Sequence, residues 1–333
     1  MTTATFPSLR LRRLRQHPVL RELVRETELS VKDLIFPLFI KGRGGEKLPI
    51  VTMPGFFQIP ISKLAEEIQE LQHLGINSVL LFGVPSQKDP LGSDSYSENG
   101  IIQDAIRTIR EVAPDILIMT DLCFCEYTDH GHCGIIIERA GKYELDNDQT
   151  LELLAKQAVS HARAGADVVA PSGMIDGMVK AIRAGLDAAD FSHIPIFSYS
   201  VKYQSCLYGP FREATEGAPS FGDRSTHQMD TANAREAMRE VLLDVEEGAD
   251  MLMVKPAHTY LDVIYRVKQA HPHIPLGAYH TSGEFAMLKA AAQRGWIDEQ
   301  KAVLEVLRSI RRAGADFIFT YYAKEFAQWQ ALN

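Results

Sequence analysis

EEGADMLMVKP, residues 246–256, decides how this chain folds. A helical pattern runs out at Glu246 and Glu247, Gly248 follows, then Ala249, Asp250 and the apolar run that closes on Lys255 and Pro256. Glycine suits the left-handed conformation just past a helix C-terminus, so the stretch reads as a helix-to-strand joint. The same joint recurs as HLGINSVLLFGV (73–84), RAGADVVAPSG (163–173) and RRAGADFIFTYY (311–322). Repetition of one joint marks a chain built from βα units.

Outward from these joints, eight short apolar runs read as strands: 34–40, 78–84, 116–123, 167–173, 194–200, 250–256, 274–280 and 316–322. They are continuous rather than alternating, as expected of a parallel sheet covered on both faces. Between them lie amphipathic patterns with apolar positions three or four apart, such as Ile61 to Leu74 and Thr231 to Glu247. Eight strands alternating with helices predict an α/β fold of the TIM (β/α)8 barrel type over residues 34–333; a doubly wound open sheet is the alternative. Residues 1–33, LRLRRLRQHPVLRELVRETELS among them, predict an N-terminal helical arm that packs on a neighbouring subunit. Residues 203–230 are rich in Gly, Pro and Ser without a clear period. A loop that long inside a compact domain predicts a lid.

Composition excludes several classes. The chain has 333 residues, 46% of them hydrophobic and 23% charged, with a net charge of -8. That balance argues against broad nucleic-acid affinity. No apolar run reaches the roughly 18 residues of a membrane span. The N-terminus shows no signal-like pattern, and cysteines are few, so a cytoplasmic, reducing location is the expectation.

In a barrel, catalytic groups sit at the C-terminal ends of the strands. Here those ends carry Asp121, Cys123, Cys125, Ser172, Lys202, Lys255, Ser282 and Tyr321. A lysine at the end of a buried strand can simply extend its ammonium to solvent. Two on adjacent strands of one rim suit imine chemistry, because burial and a second ammonium both favour the neutral, nucleophilic amine. Three of the four cysteines crowd into DLCFCEYTDHGHCG, residues 121–134. A disulfide, a closed structural zinc site completed by His130, His132 or Asp129, and an open catalytic zinc site all remain compatible with that spacing. Arg212 and Arg224 in the lid can clamp a carboxylate or serve as solvated loop charges.

DLCFCEYTDHGHCG, APSGMIDG, SYSVKYQSCLYGPFREA, MLMVKPA and TSGEFAM together resemble the porphobilinogen synthase family, also called 5-aminolaevulinate dehydratases. The resemblance runs from RLRRLRQHP to FIFTYYAKEFA. It implies a TIM-barrel lyase with an N-terminal arm, assembled as a homo-octamer. It also implies condensation of two 5-aminolaevulinate molecules to porphobilinogen, with loss of two waters, early in tetrapyrrole synthesis. By resemblance, Lys255 and Lys202 carry the two Schiff bases. Ser282 and Tyr321 hold the first substrate's carboxylate, and Arg212, Arg224 and Gln228 meet the second's. Cys123, Cys125 and Cys133 match the ligands of an active-site zinc, which makes the histidines second-choice ligands. Asp121 and Ser172 neighbour the lysines, and Glu240 matches the ligand of an allosteric magnesium. Two rivals remain at this level. A class I aldolase explains one lysine but neither the second lysine nor the thiols. A non-catalytic metal or redox sensor explains the thiols alone.

Overall fold

A computed structural model describes residues 5–332. Eight parallel strands form the centre: β1 (Leu34–Lys41), β2 (Ser78–Val84), β3 (Leu117–Leu122), β4 (Val168–Pro171), β5 (Phe197–Lys202), β6 (Met251–Lys255), β7 (Leu276–His280) and β8 (Phe317–Thr320). Each falls within one of the eight apolar runs except β1, which extends one residue further, to Lys41, and β5, which extends two further, to Lys202. Neighbours follow the order β4-β3-β2-β1-β8-β7-β6-β5. A bridge between Val169 and Ile196 joins β4 to β5 and closes the ring. First and last strands pair through Leu34–Ile318 and Ile35–Phe319, which an open doubly wound sheet would not do. The fold is therefore the barrel.

Helices α1 (Ile61–His73), α2 (Ile101–Val112), α3 (Asn147–Ala164), α4 (Met178–Ala188), α5 (Arg235–Glu247), α6 (Leu261–Ala270), α7 (Ser282–Gln293), α8 (Glu299–Ala313) and α9 (Ala323–Ala331) surround the strands. Apolar spacing explains how they pack. On α8, Val303, Val306, Leu307 and Ile310 are buried, a stripe at helical period. Burying each such side chain stabilises by about 1.5–3 kcal/mol. Helix α5 begins at Arg235, four residues later than its apolar pattern predicts. Asp230 is the reason: its carboxylate accepts from Ala232 N–H and its carbonyl from Asn233 N–H, a local turn that competes with helix. The four joint glycines, Gly75, Gly165, Gly248 and Gly314, all have positive φ, between 75° and 125°.

Inside the ring the core is aromatic. Phe197 stacks on Phe319 at 5.2 Å, Tyr279 on Phe319 at 5.4 Å, and Phe39 on Tyr321 at 6.1 Å. These rings fill the barrel interior, and Tyr279 and Tyr321 carry it up to the C-terminal rim. Before β1, the chain forms a 3-10 turn (Leu11–Arg15) and a short helix (Pro18–Leu23), neither with a buried residue. Residues 203–230 are not without structure, contrary to the sequence reading. They hold a 3-10 turn (Cys206–Tyr208) and a helix (Gly209–Ala214) opened by Pro210 in its first turn.

Candidate active site

Strand β6 ends on Lys255 and β5 on Lys202, and the two are direct partners across the β5–β6 ladder. A bulge makes that pairing productive. The register shifts by one residue between Leu252 and Val254, so β5 carries one extra residue opposite Met253. In a regular strand, Tyr199 and Lys202, three apart, would face opposite sides. The extra residue lets both face one pocket: the Lys202 Nζ lies 5.6 Å from the Tyr199 ring centroid and the Lys255 Nζ 5.2 Å.

Lys255 is 4% exposed. Its Nζ sits in a box of rings: Tyr279 at 4.0 Å, Phe211 at 5.0 Å and Tyr208 at 5.4 Å, besides Tyr199. Burial and then the Lys202 charge push its amine down to about 7, against the pull of Asp121. Lys202 donates to the Ser172 carbonyl at 2.6 Å, and the Ser172 hydroxyl donates to Asp121 Oδ2 at 3.0 Å. Burial, then the charge of Glu126, raises the Asp121 carboxyl to about 7. An amine with a substantial neutral fraction at neutral pH, in a nearly dry pocket, is a nucleophile toward a ketone.

The carboxylate-binding candidates gather around this pair. Tyr321 is fully buried, its hydroxyl 3.2 Å from that of Tyr279. Ser282 opens α7; its Oγ accepts from Phe211 N–H at 3.0 Å, tying α7 to the lid helix. Arg212 is half-buried in that lid helix, its pKa lowered by burial and by the Arg224 charge. Arg224 is 3% exposed and donates through Nη2 to the carbonyls of Gly217 at 2.6 Å and Gly131 at 3.0 Å. Among the buried side-chain atoms that find no hydrogen-bond partner in the described residues are Asp121 Oδ1, Tyr199 Oη, Arg212 Nε, Arg224 Nε and both Gln228 amide atoms.

The three thiols also converge, though not by strand alternation as the spacing first suggests. Strand β3 stops at Leu122, and a turn in which Tyr127 and Thr128 N–H donate to the Phe124 carbonyl folds the segment back. The sulfurs of Cys123, Cys125 and Cys133 lie within 4.8 Å of one another, all buried. Cys123 and Cys125 sulfurs are 3.4 Å apart, too far for a disulfide. Neither histidine joins them. His130 Nε2 pairs with the Pro90 carbonyl and its Nδ1 accepts from His132 N–H, while His132 Nε2 pairs with the Phe221 carbonyl at 2.9 Å. Three soft, buried sulfur donors form a set that can hold a metal such as zinc. The loop is also fastened to the lid, since Ser220 N–H donates to the His130 carbonyl.

Glu240 lies elsewhere, on α5, lining an acidic recess of about 430 Å³ with Asp176, Glu236 and Asp244. Burial and then these neighbours raise its carboxyl to about 7. The structure adds groups that sequence reasoning missed: the rings of Tyr199, Tyr208, Phe211 and Tyr279, and the 2%-exposed Glu126. The alternation of aromatic and polar residues in SYS, 198–200, was the available signal for Tyr199.

Residues 8–329 match the family described as Delta-aminolevulinic acid dehydratase. A relative of that name from Synechocystis sp. is 52% identical over 324 residues, covering 97% of this chain and 99% of the relative. One from Halalkalibacterium halodurans is 53% identical over 320 residues, covering 96% of each. Among solved structures, a delta-aminolevulinic acid dehydratase (porphobilinogen synthase) from Toxoplasma gondii, in complex with the reaction product porphobilinogen, superposes with a TM-score of 0.93. It is 44% identical, with 96% of this chain and 91% of that one covered.

Proposed function

The chain belongs to the delta-aminolevulinic acid dehydratase family, lyases that form porphobilinogen, and from that premise we propose how its own residues carry the reaction. One observation carries the reading: a buried Lys255 amine, held near neutrality and paired across the ladder with Lys202. Lys255 attacks the ketone carbon of the first 5-aminolaevulinate. Its nitrogen lone pair then expels the former carbonyl oxygen as water, leaving an imine. Ser282 and Tyr321 accept that substrate's carboxylate. Lys202, steadied by Ser172 and near Asp121, forms the second imine. Arg212, Arg224 and Gln228 meet the second carboxylate with donors that the fold leaves free. An imine makes the adjacent carbon acidic, which is what joining two keto-amines requires. The lid, residues 203–230, excludes water that would hydrolyse the imines.

Cys123, Cys125 and Cys133 would hold a zinc ion, which supplies Lewis acidity beside the second substrate. Glu240, among crowded carboxylates that suit a hard cation, is the proposed ligand for a regulatory magnesium. The arm exposes Phe6, Leu11, Leu14 and Leu23 to solvent. Such apolar exposure supports packing on a second copy in a homo-oligomer, for which we propose an octamer, working in the cytoplasm.

Borohydride added during turnover should reduce the first imine and leave a stable adduct on Lys255, found by peptide mass spectrometry. A labelled zinc-loaded protein with no adduct there would sink this assignment. The pH profile offers a second check. Only the unprotonated amine attacks, so kcat/KM should rise with pH through the Lys255 pKa and level off above it. That limb should be centred near pH 7, whereas an unperturbed lysine would place it above roughly pH 10. A limb centred above about pH 9 would show that the pocket does not tune this amine.

A further inference from the structure

Glu284 is 1% exposed and takes no direct part in the chemistry above. It belongs to the capping box of α7, where Thr281 is the N-cap. Its Oε2 accepts from Thr281 N–H at 2.5 Å and from Thr281 Oγ1 at 2.8 Å. A cap needs no more than this. Yet Oε1 is also engaged, accepting from His258 N–H at 2.5 Å, and the Ala257 N–H bonds to the same carboxylate. Those two amides follow Lys255 and Pro256 directly. One carboxylate thus reads two segments: the end of β6, which carries Lys255, and the start of α7, which carries Ser282.

We propose that Glu284 is a positioning residue that sets the span between the Lys255 amine and the Ser282 hydroxyl, and so the length of keto acid the site accepts. The inference rests on the reading that Lys255 forms the imine and Ser282 meets the same substrate's carboxylate. In 5-aminolaevulinate the ketone and carboxylate are separated by two methylenes, so the two protein groups must be held at a matching distance. The rest of the junction is equally tight. The Lys255 carbonyl accepts from Tyr203 N–H at 3.0 Å and from Tyr208 Oη at 3.2 Å. At the start of α7, a Cβ on Gly283 would come within 2.5 Å of the Leu207 carbonyl oxygen, so the helix abuts the lid with no slack. Ser282 places Phe211, whose ring in turn walls the Lys255 amine.

The residue type fits the role. Only a carboxylate accepts at both ends. A glutamine presents one oxygen and one NH2, and the NH2 would face N–H groups at Thr281 or at His258. Burial raises the Glu284 carboxyl to about 7, which works against holding its charge. A device for capping alone would sit at the surface, where that penalty is absent.

The test uses two keto acids without the amino group: 4-oxopentanoate, with the substrate's spacing, and 5-oxohexanoate, one methylene longer. Borohydride trapping on Lys255 of the unaltered enzyme should favour the shorter acid by at least about 10-fold. Glu284→Gln should fold with unchanged zinc content, lose about 10- to 100-fold in kcat, and compress that preference to within about 3-fold. Thr281→Val weakens the same cap while leaving Oε1 and the Lys255 segment alone, so it should lower Tm but keep the preference. A Glu284→Gln enzyme that keeps the preference, or that does not fold, overturns the proposal, because the carboxylate would then serve the fold alone. Absence of trapping in the unaltered enzyme would instead refute the imine on Lys255.

Discussion

Lys255→Met should form porphobilinogen at least about 10⁴-fold more slowly and should melt at a higher temperature than the unaltered enzyme. The first effect follows from the loss of the only group proposed to bind the first ketone covalently. Lys202 cannot substitute, because the mechanism needs its amine for the second ketone. The second follows from what the site does to a charge. The aromatic box offers Lys255 cation–π attraction worth about 0.5–2 kcal/mol. Burial and Lys202 nonetheless win, since the amine is pushed down to about 7. A basic group whose folded pKa is depressed costs stability wherever the unfolded chain would be protonated and the folded site resists it, here increasingly as pH falls from 10.5 towards 7 and in full below that. Methionine fills the same volume without a charge and should gain about 1–2 kcal/mol near pH 7. That gain should fade as pH approaches 10.5, where the lysine is neutral in both states. Initial rates and melting curves at two pH values check both effects. A variant that keeps more than a few per cent of the rate would remove Lys255 from the mechanism.

Cys133→Ser should bind far less zinc and lose about 10²- to 10³-fold in activity, the scale of several kcal/mol of Lewis-acid assistance. Cys133 comes to the cluster from the far side of the loop, and the other two sulfurs are held by a turn. Two thiols at 3.4 Å cannot enclose an ion by themselves. Zinc content by elemental analysis should fall from about one ion per chain, and added zinc should restore the unaltered protein but not the variant. If the unaltered protein takes up no zinc, or the variant keeps both ion and rate, the cysteines have another purpose. A redox role would show itself as sensitivity to reductant rather than to chelator.

The barrel could be read in advance because its determinants are local. Continuous apolar runs and a glycine at each helix-to-strand joint need no knowledge of distant partners. Lys202 and Lys255 were legible for the same reason, each closing an apolar run. What escaped was non-local. The extra residue in β5 exists only relative to β6, and nothing in FSYSVK alone announces it. The turn after Leu122 replaces strand alternation because Cys123 begins a loop that docks on the lid. Arg224 reads as a free clamp in sequence, yet it spends two bonds on Gly131 and Gly217 carbonyls. Glu284 is not singled out in the sequence at all, and its role appears only when the residues after Lys255 arrive in space.

The unmatched polar atoms of the candidate site have a consequence for how such an enzyme evolves. Each buried polar atom without a partner costs about 1–3 kcal/mol. The chain therefore folds around an unfinished sentence, and on the proposed mechanism the two reactants supply its missing words. Affinity and native-state frustration are then one quantity seen from two sides. Substitutions that relieve the frustration from within would make a hardier protein with less reason to hold its guests. Natural variation at Asp121, Tyr199 and Gln228 should accordingly be constrained by turnover rather than by endurance to heat.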